Sequence, residues 1–140
     1  MKGSTLRPGV GDIVAGRFTL LGLIGTGGMG VVYRAADALR AQTVALKMLR
    51  PEAAPGITTR FLHEAQLLSE LRHPGIVQYV DHGQTTESGP YLAMALLAGE
   101  DLAARLSRAG LTARETFALI HRVAEALSVA HRRGIVHRED

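Results

Sequence analysis

Cysteine is absent from the 140 residues. That excludes a disulfide framework and a thiolate metal site. Aromatic residues are scarce at 4%, and the arginines are scattered, so the stacked basic groove of a nucleic-acid binder is not expected. No apolar run reaches membrane-spanning length, and Met1-Lys2-Gly3-Ser4-Thr5 carries no apolar signal core. A cytoplasmic location is the default expectation. Internal repeats and low-complexity segments are also missing. What is present is a chain with 46% hydrophobic residues, too many for disorder, at a length that suits one modest domain. The net charge of +3 gives a basic surface that tolerates phosphate.

Residues 1–12 contain glycine and proline and read as a loose lead-in. Strands are expected at Arg17 to Ile24, Val31 to Ala36, Thr43 to Leu49, Ile76 to Asp81 and Tyr91 to Leu96. His82 to Pro90 reads as a polar turn. Thr58 or Thr59 can cap a helix running to about Arg72, which Pro74-Gly75 ends. From Asp101 the pattern turns helical, with a short helix to Arg108 that Gly110 breaks. Thr112-Ala113-Arg114-Glu115 is a capping box, in which each end satisfies a free amide of the other. The helix it opens runs to Arg133, where Gly134 suits a left-handed stop.

Gly25-Thr26-Gly27-Gly28-Met29-Gly30 lies between two strand-like runs, and Lys47 follows on a third. Glycine spacing alone is a weak signal and fits an ordinary hairpin equally well. In a dinucleotide fold the motif opens a helix. Here Val31-Val32-Tyr33 follows, which favours a strand and a hairpin tip. Bare backbone there lets amides approach phosphate oxygens. Phe61, Glu64, Leu68 and Leu71 share one helix face, so Glu64 lies among apolar neighbours. An unpaired carboxylate is costly in such a place, and Lys47 is its expected partner. The bland alternative is two unrelated solvated charges.

These residues resemble the protein-kinase family, and in particular bacterial serine/threonine kinases of the eukaryotic-like type. Gly25 to Val32 resembles the glycine-rich loop, and Val44-Ala45-Leu46-Lys47 the strand with the ATP lysine. Glu64 matches the glutamate of the regulatory helix, and Gly134-Ile135-Val136-His137-Arg138 the approach to the catalytic loop. The resemblance covers about residues 16–140. It implies an α+β fold: an N-lobe with a five-stranded antiparallel sheet and one regulatory helix, then the first helices of a truncated helical C-lobe. The implied divisions are a lead-in at 1–12, an ATP-binding lobe at 13–97 and a C-lobe start at 98–140.

The resemblance further implies that Gly25, Gly27, Gly28 and Gly30 cradle phosphate, while Ile24, Val32 and Ala45 pack on adenine. It places Met94 at the gatekeeper position, and has Ala95 and Leu97 offer backbone groups to the adenine edge. Met94 to Leu97 also reads as plain strand core. Lys47 and Glu64 would form the catalytic pair. ATP is the implied cofactor, with magnesium in a complete relative. Kinases place an aspartate after the His-Arg pair, but here Glu139 stands there and Asp140 comes one residue late. Either Glu139 is a genuine variant, or the last residues reflect a damaged or truncated reading frame.

The magnesium ligands and the substrate-reading helices would follow residue 140, so this chain is expected to be nearly inert alone. The apolar face of the last helix, with Phe117, Ile120, Ala124 and Leu127, is expected to drive self-association. Protein substrates would be partners only if a C-lobe completed the chain. The six histidines, His63, His73, His82, His121, His131 and His137, read as surface or packing residues, with no metal site. Three readings stay open: a kinase domain's N-terminal part, a non-catalytic nucleotide-binding pseudokinase module, or a gene remnant.

Overall fold

The structure is a computed structural model that describes residues 8–26, 30–50 and 54–135. The described residues of Met1–Glu70 and Gln78–Leu96 form one compact unit, and those of Leu71–Val77 and Leu97–Glu139 a second.

The first unit is built on a six-stranded antiparallel sheet in the order β1-β2-β3-β4-β6-β5. Its strands are β1 (Ile13–Val14), β2 (Phe18–Thr26), β3 (Gly30–Asp37), β4 (Gln42–Leu49), β5 (Tyr79–Thr85) and β6 (Gly89–Ala95). The α+β class expected from the sequence is therefore found, with one strand more than the expected five. The short β1 pairs Ile13 with Thr19 and Val14 with Phe18, next to the segment read as a lead-in.

Side chains alternate across a strand, so one face takes every second residue. Val31, Tyr33 and Ala35 of β3, Val44, Leu46 and Met48 of β4, and Tyr91 and Ala93 of β6 all point inward. With Val14, Phe18 and Leu20 they form one buried cluster. Phe18 and Tyr91 meet edge to face at 5.7 Å. Burying each large side chain stabilises the fold by about 1.5–3 kcal/mol.

The fourth expected strand is displaced. Ile76 N–H donates to His73 O at 3.0 Å, a turn that keeps Ile76 out of the sheet, and β5 begins only at Tyr79. It then runs through His82 to Thr85, which the sequence assigns to a turn. An edge strand is half-solvated, so polar residues sit there at little cost.

Helix α1 (Pro55–Leu68) starts earlier than the threonines suggested. Pro55 supplies the first helical position, where its fixed φ is preset and its missing N–H is not needed. Ala54 takes the cap position with no side-chain bond, and Thr59 is left to donate to Pro55 O at 3.4 Å. The helix closes at Ser69, whose N–H bonds Ala65 O at 3.0 Å, short of the expected Arg72.

The second unit holds α2 (Leu102–Arg108) and α3 (Ala113–Arg132). Asp101 Oδ1 caps α2 by accepting from Ala104 N–H at 2.7 Å. The capping box of α3 forms in both directions: Glu115 N–H to Thr112 Oγ1 at 3.1 Å, and Thr112 N–H to Glu115 Oε1 at 2.9 Å. The amide of Thr112 also holds the Glu115 carboxyl below the usual range, with Arg105 adding to the effect. At the other end Gly134 adopts φ 78°. Its N–H bonds His131 O at 2.9 Å and that of Ile135 bonds Ala130 O at 3.0 Å, the Schellman closure.

Candidate functional site

The sheet's second face carries the residues that sequence alone singled out. Strand register decides which of them meet. Gly25 pairs with Val32, Val32 with Lys47, and Lys47 with Leu92. These four positions form one row across β2, β3, β4 and β6. Two residues along, Arg34, Ala45 and Met94 form the next row. Directly opposed residues share a face, so Val32, Ala45, Lys47 and Met94 lie together on the face opposite the core. Ala45 is buried, while Val32, Lys47 and Met94 are half-buried. Ile24 sits at the bulge between Leu23 and Gly25 and is exposed.

Gly30 has a steric reason to be glycine. A Cβ there would run into the backbone carbonyl of Met48 on the neighbouring strand. Gly25 has open space where its Cβ would be. The two described glycines thus differ: Gly30 permits close strand approach, whereas Gly25 has room for a side chain and carries none. Gly27 and Gly28 lie outside the described residues, as do Glu139 and Asp140.

The other expected contacts divide. Ala95 N–H donates to Gln78 O at 2.8 Å, so the amide is engaged and the expectation for Ala95 rests on its carbonyl. Leu97 is exposed and belongs to the second unit.

The pairing of Lys47 with Glu64 is a correction. Glu64 is not buried: its side chain is 48% exposed and pairs with Arg60, whose Nε lies 3.7 Å from Oε2. No ion pair joins it to Lys47 among the described residues. Lys47 Nζ instead stands 5.9 Å from the centroid of the Phe61 ring, a cation–π contact. The buried face of α1 is Phe61 with Ala65, and Glu64 falls beside it. The i, i+4 spacing of Arg60 and Glu64 was the signal that could have found this pair.

Sequence reasoning missed a second cluster altogether. Asp37 ends β3 with its side chain fully buried, and Arg17 grips it through Nε–Oδ1 at 2.8 Å and Nη2–Oδ2 at 2.9 Å. The same carboxylate accepts from Leu39 N–H at 3.0 Å, ordering the turn into β4. Arg17 Nη1 also reaches Asp81 Oδ2 at 3.1 Å, and its guanidinium lies 4.8 Å from the Phe18 ring centroid. The hydrogen bond from Arg17 holds the Asp37 carboxyl below the ordinary carboxylate range and raises Arg17 in turn. Burial, with Asp81 nearby, pushes the Tyr91 hydroxyl up. No local signal links two charges twenty positions apart; only the fold brings them together. This cluster braces the sheet on which the Gly25–Lys47 row is laid.

Among the described residues, no three His, Cys, Asp or Glu side chains are grouped to hold a metal ion. No helix there is long and apolar enough to cross a membrane.

Sheet, helix and row together have the architecture of a protein-kinase N-terminal lobe. The family model described as protein kinase domain matches residues 18–139. The chain is 38% identical over 141 residues to serine/threonine-protein kinase PknA of Mycobacterium tuberculosis, covering 96% of this chain and 33% of that one. It is also 38% identical over 139 residues to the DNA damage-responsive serine/threonine-protein kinase RqkA of Deinococcus radiodurans, covering 92% and 20%. A crystal structure of the M. tuberculosis PknI kinase domain superposes with a TM-score of 0.80 at 32% identity, covering 94% of this chain and 53% of that chain. The chain belongs to the protein kinase family and corresponds to the N-terminal portion of the domain. It spans a third of the length of PknA.

Proposed function

We propose that this chain binds ATP on the second face of its sheet, as the nucleotide-binding part of a serine/threonine protein kinase. The observation that carries the reading is the row Gly25–Val32–Lys47, where register sets a glycine with no side chain, an apolar side chain and an ammonium group in neighbouring strands. The residues fit the ligand. Ile24, Val32, Ala45 and Met94 offer apolar surface to an adenine ring. Gly25, with Gly27, Gly28 and Gly30, gives backbone amides to phosphate oxygens, and Lys47 gives the charge that meets them. The carbonyl of Ala95 would recognise the adenine edge.

Phosphoryl transfer to a protein hydroxyl is the activity proposed for the whole protein. When bound, magnesium spreads the developing phosphate charge in such a reaction. These 140 residues include no asparagine and no Asp-Phe-Gly, the family's usual ligands for it. Transfer by this chain alone is therefore not expected, and Glu139 and Asp140 remain candidates for the catalytic carboxylate only in the larger protein. The apolar stripe on α3, with Phe117 and Ile120 exposed, is proposed to promote self-association of this chain.

A nucleotide titration of the purified chain tests the reading. ATP should raise the melting temperature of the wild type and leave Lys47→Ala unmoved, with both folded by circular dichroism. An equal response from the two proteins, or none from either, would remove Lys47 as the phosphate contact.

A further inference from the structure

Among the described residues, the six strands carry two lysine or arginine side chains, Lys47 and Arg34. Register puts both on the second face of the sheet. Lys47 serves the proposed phosphate grip, and Arg34 is a second cation one row away. Gly22 of β2 stands opposite Arg34 on one side, and Ala45 of β4 on the other. Directly opposed Cβ atoms are about 5 Å apart, so Arg34 is an immediate neighbour of Ala45, which offers surface to adenine. Val32, which offers the same, lies two residues along β3, about 7 Å away.

Arg34 is exposed, and no hydrogen bond or ion pair holds it among the described residues. That sets it apart from Arg17, Arg60, Arg105 and Arg108, each of which meets a carboxylate. Nor does its side chain simply extend into water. Nη2 lies 3.8 Å from the point that a Cβ on Gly22 would occupy, so the guanidinium leans across β2. Gly22 has no side chain to cover it, and Ala45 ends at a methyl. The guanidinium donors therefore lie over a floor of small residues, with no acceptor among the described ones.

An adenine ring on Val32, Ala45 and Met94 has the complementary need. Its exocyclic amine donates, and its ring nitrogens accept. The Ala95 carbonyl suits the amine. The Ala95 amide is engaged by Gln78 O at 2.8 Å, so it does not serve a ring nitrogen. Phosphate is the poorer partner for Arg34, because Gly25 and Lys47 lie one row away, on the side of the glycine turn. We propose that Arg34 is a base-contact residue, whose guanidinium donates a hydrogen bond to a ring nitrogen of the bound adenine. This inference rests on the ATP-binding reading and names a specificity-determining group for that site. A base with an acceptor at that edge is preferred to one without it, because a donor covered by ligand and left unpaired costs affinity.

Titrating the whole 140-residue chain with ATP and with adenosine tests the contact. Arg34→Ala should weaken both ligands alike, by about fivefold, the net value of one hydrogen bond. Lys47→Ala should weaken ATP far more than adenosine. Because Arg34 is exposed, its variant should keep the wild-type circular dichroism and melting temperature. Adenosine analogues with one ring nitrogen at a time replaced by CH then locate the contact. For one of them, wild type and Arg34→Ala should bind equally. Equal binding of ATP by wild type and Arg34→Ala overturns the proposal. So does a loss seen with ATP and not with adenosine, which would make Arg34 a phosphate contact. A penalty of full size with every analogue overturns it too. A Lys47 effect without an Arg34 effect removes this inference and leaves the ATP-binding reading standing. A wild type that binds neither ligand removes both.

Discussion

Replacing Asp37 is the sharpest probe of how the sheet is held. Its side chain is fully buried, and its two oxygens take two charge-assisted bonds from Arg17, at 2.8 and 2.9 Å. Removing one partner of a buried pair costs about 3–5 kcal/mol, because the other charge is left uncompensated. Arg17 is 18% exposed and keeps Asp81 at 3.1 Å, which softens the loss. Asp37→Ala should therefore sit at the low end, about 3 kcal/mol. At roughly 4 °C per kcal/mol for a domain of this size, the melting midpoint falls by about 12 °C. Asp81→Asn is the matched control. Asp81 is 34% exposed, so its pair is worth no more than about 1 kcal/mol. Urea unfolding of the three proteins at neutral pH measures both differences. If Asp37→Ala loses less than Asp81→Asn, the argument from burial is wrong.

The same site gives a pH dependence with a fixed sign. The Asp37 carboxyl titrates below its ordinary value in the folded chain. In the unfolded chain it titrates near the ordinary value of about 3.9. Its contribution is thus complete above about pH 4 and is lost as pH falls through the depressed folded value. Asp37→Asn should flatten the stability profile below that point relative to wild type.

Three further outcomes follow from the geometry. Gly30→Ala should cost about 1–3 kcal/mol, because its methyl meets the Met48 carbonyl, while Gly25→Ala, with open space, should change urea stability by less than about 0.5 kcal/mol. Gly134→Ala should destabilise α3 by about 1 kcal/mol, since φ is 78° there; an unchanged helix melting curve would contradict the left-handed closure. Sedimentation should show self-association of the chain that Phe117→Glu reduces, because Phe117 is 74% exposed on the apolar stripe of α3; a concentration-independent monomer in both proteins would refute it.

How much was legible beforehand can be argued residue by residue. The capping box at Thr112 and the stop at Gly134 were readable because their bonds span three to five positions. The strands around the glycine turn were readable from alternation, and the kinase resemblance from motif order. The early start of α1 was missed because Thr58 and Thr59 have the side chains of good caps, whereas the helix opens at Pro55 with its preset φ. The edge strand β5 was misplaced because apolar alternation is a weak guide where one side of the ladder faces water.

By itself, then, the sequence determined locally closed features such as the capping box of α3, and the identity of the groups in the proposed phosphate grip. Tertiary structure alone decided which groups stand together. The row through Gly25, Val32 and Lys47 depends on strand register, and the seat of the Lys47 ammonium over the Phe61 ring depends on where α1 lies against the sheet. The burial of Asp37 against Arg17 depends on both. Hydrogen bonds within a few residues are fixed by backbone geometry, whereas pairings across the fold are set by packing, which no short stretch of chain contains.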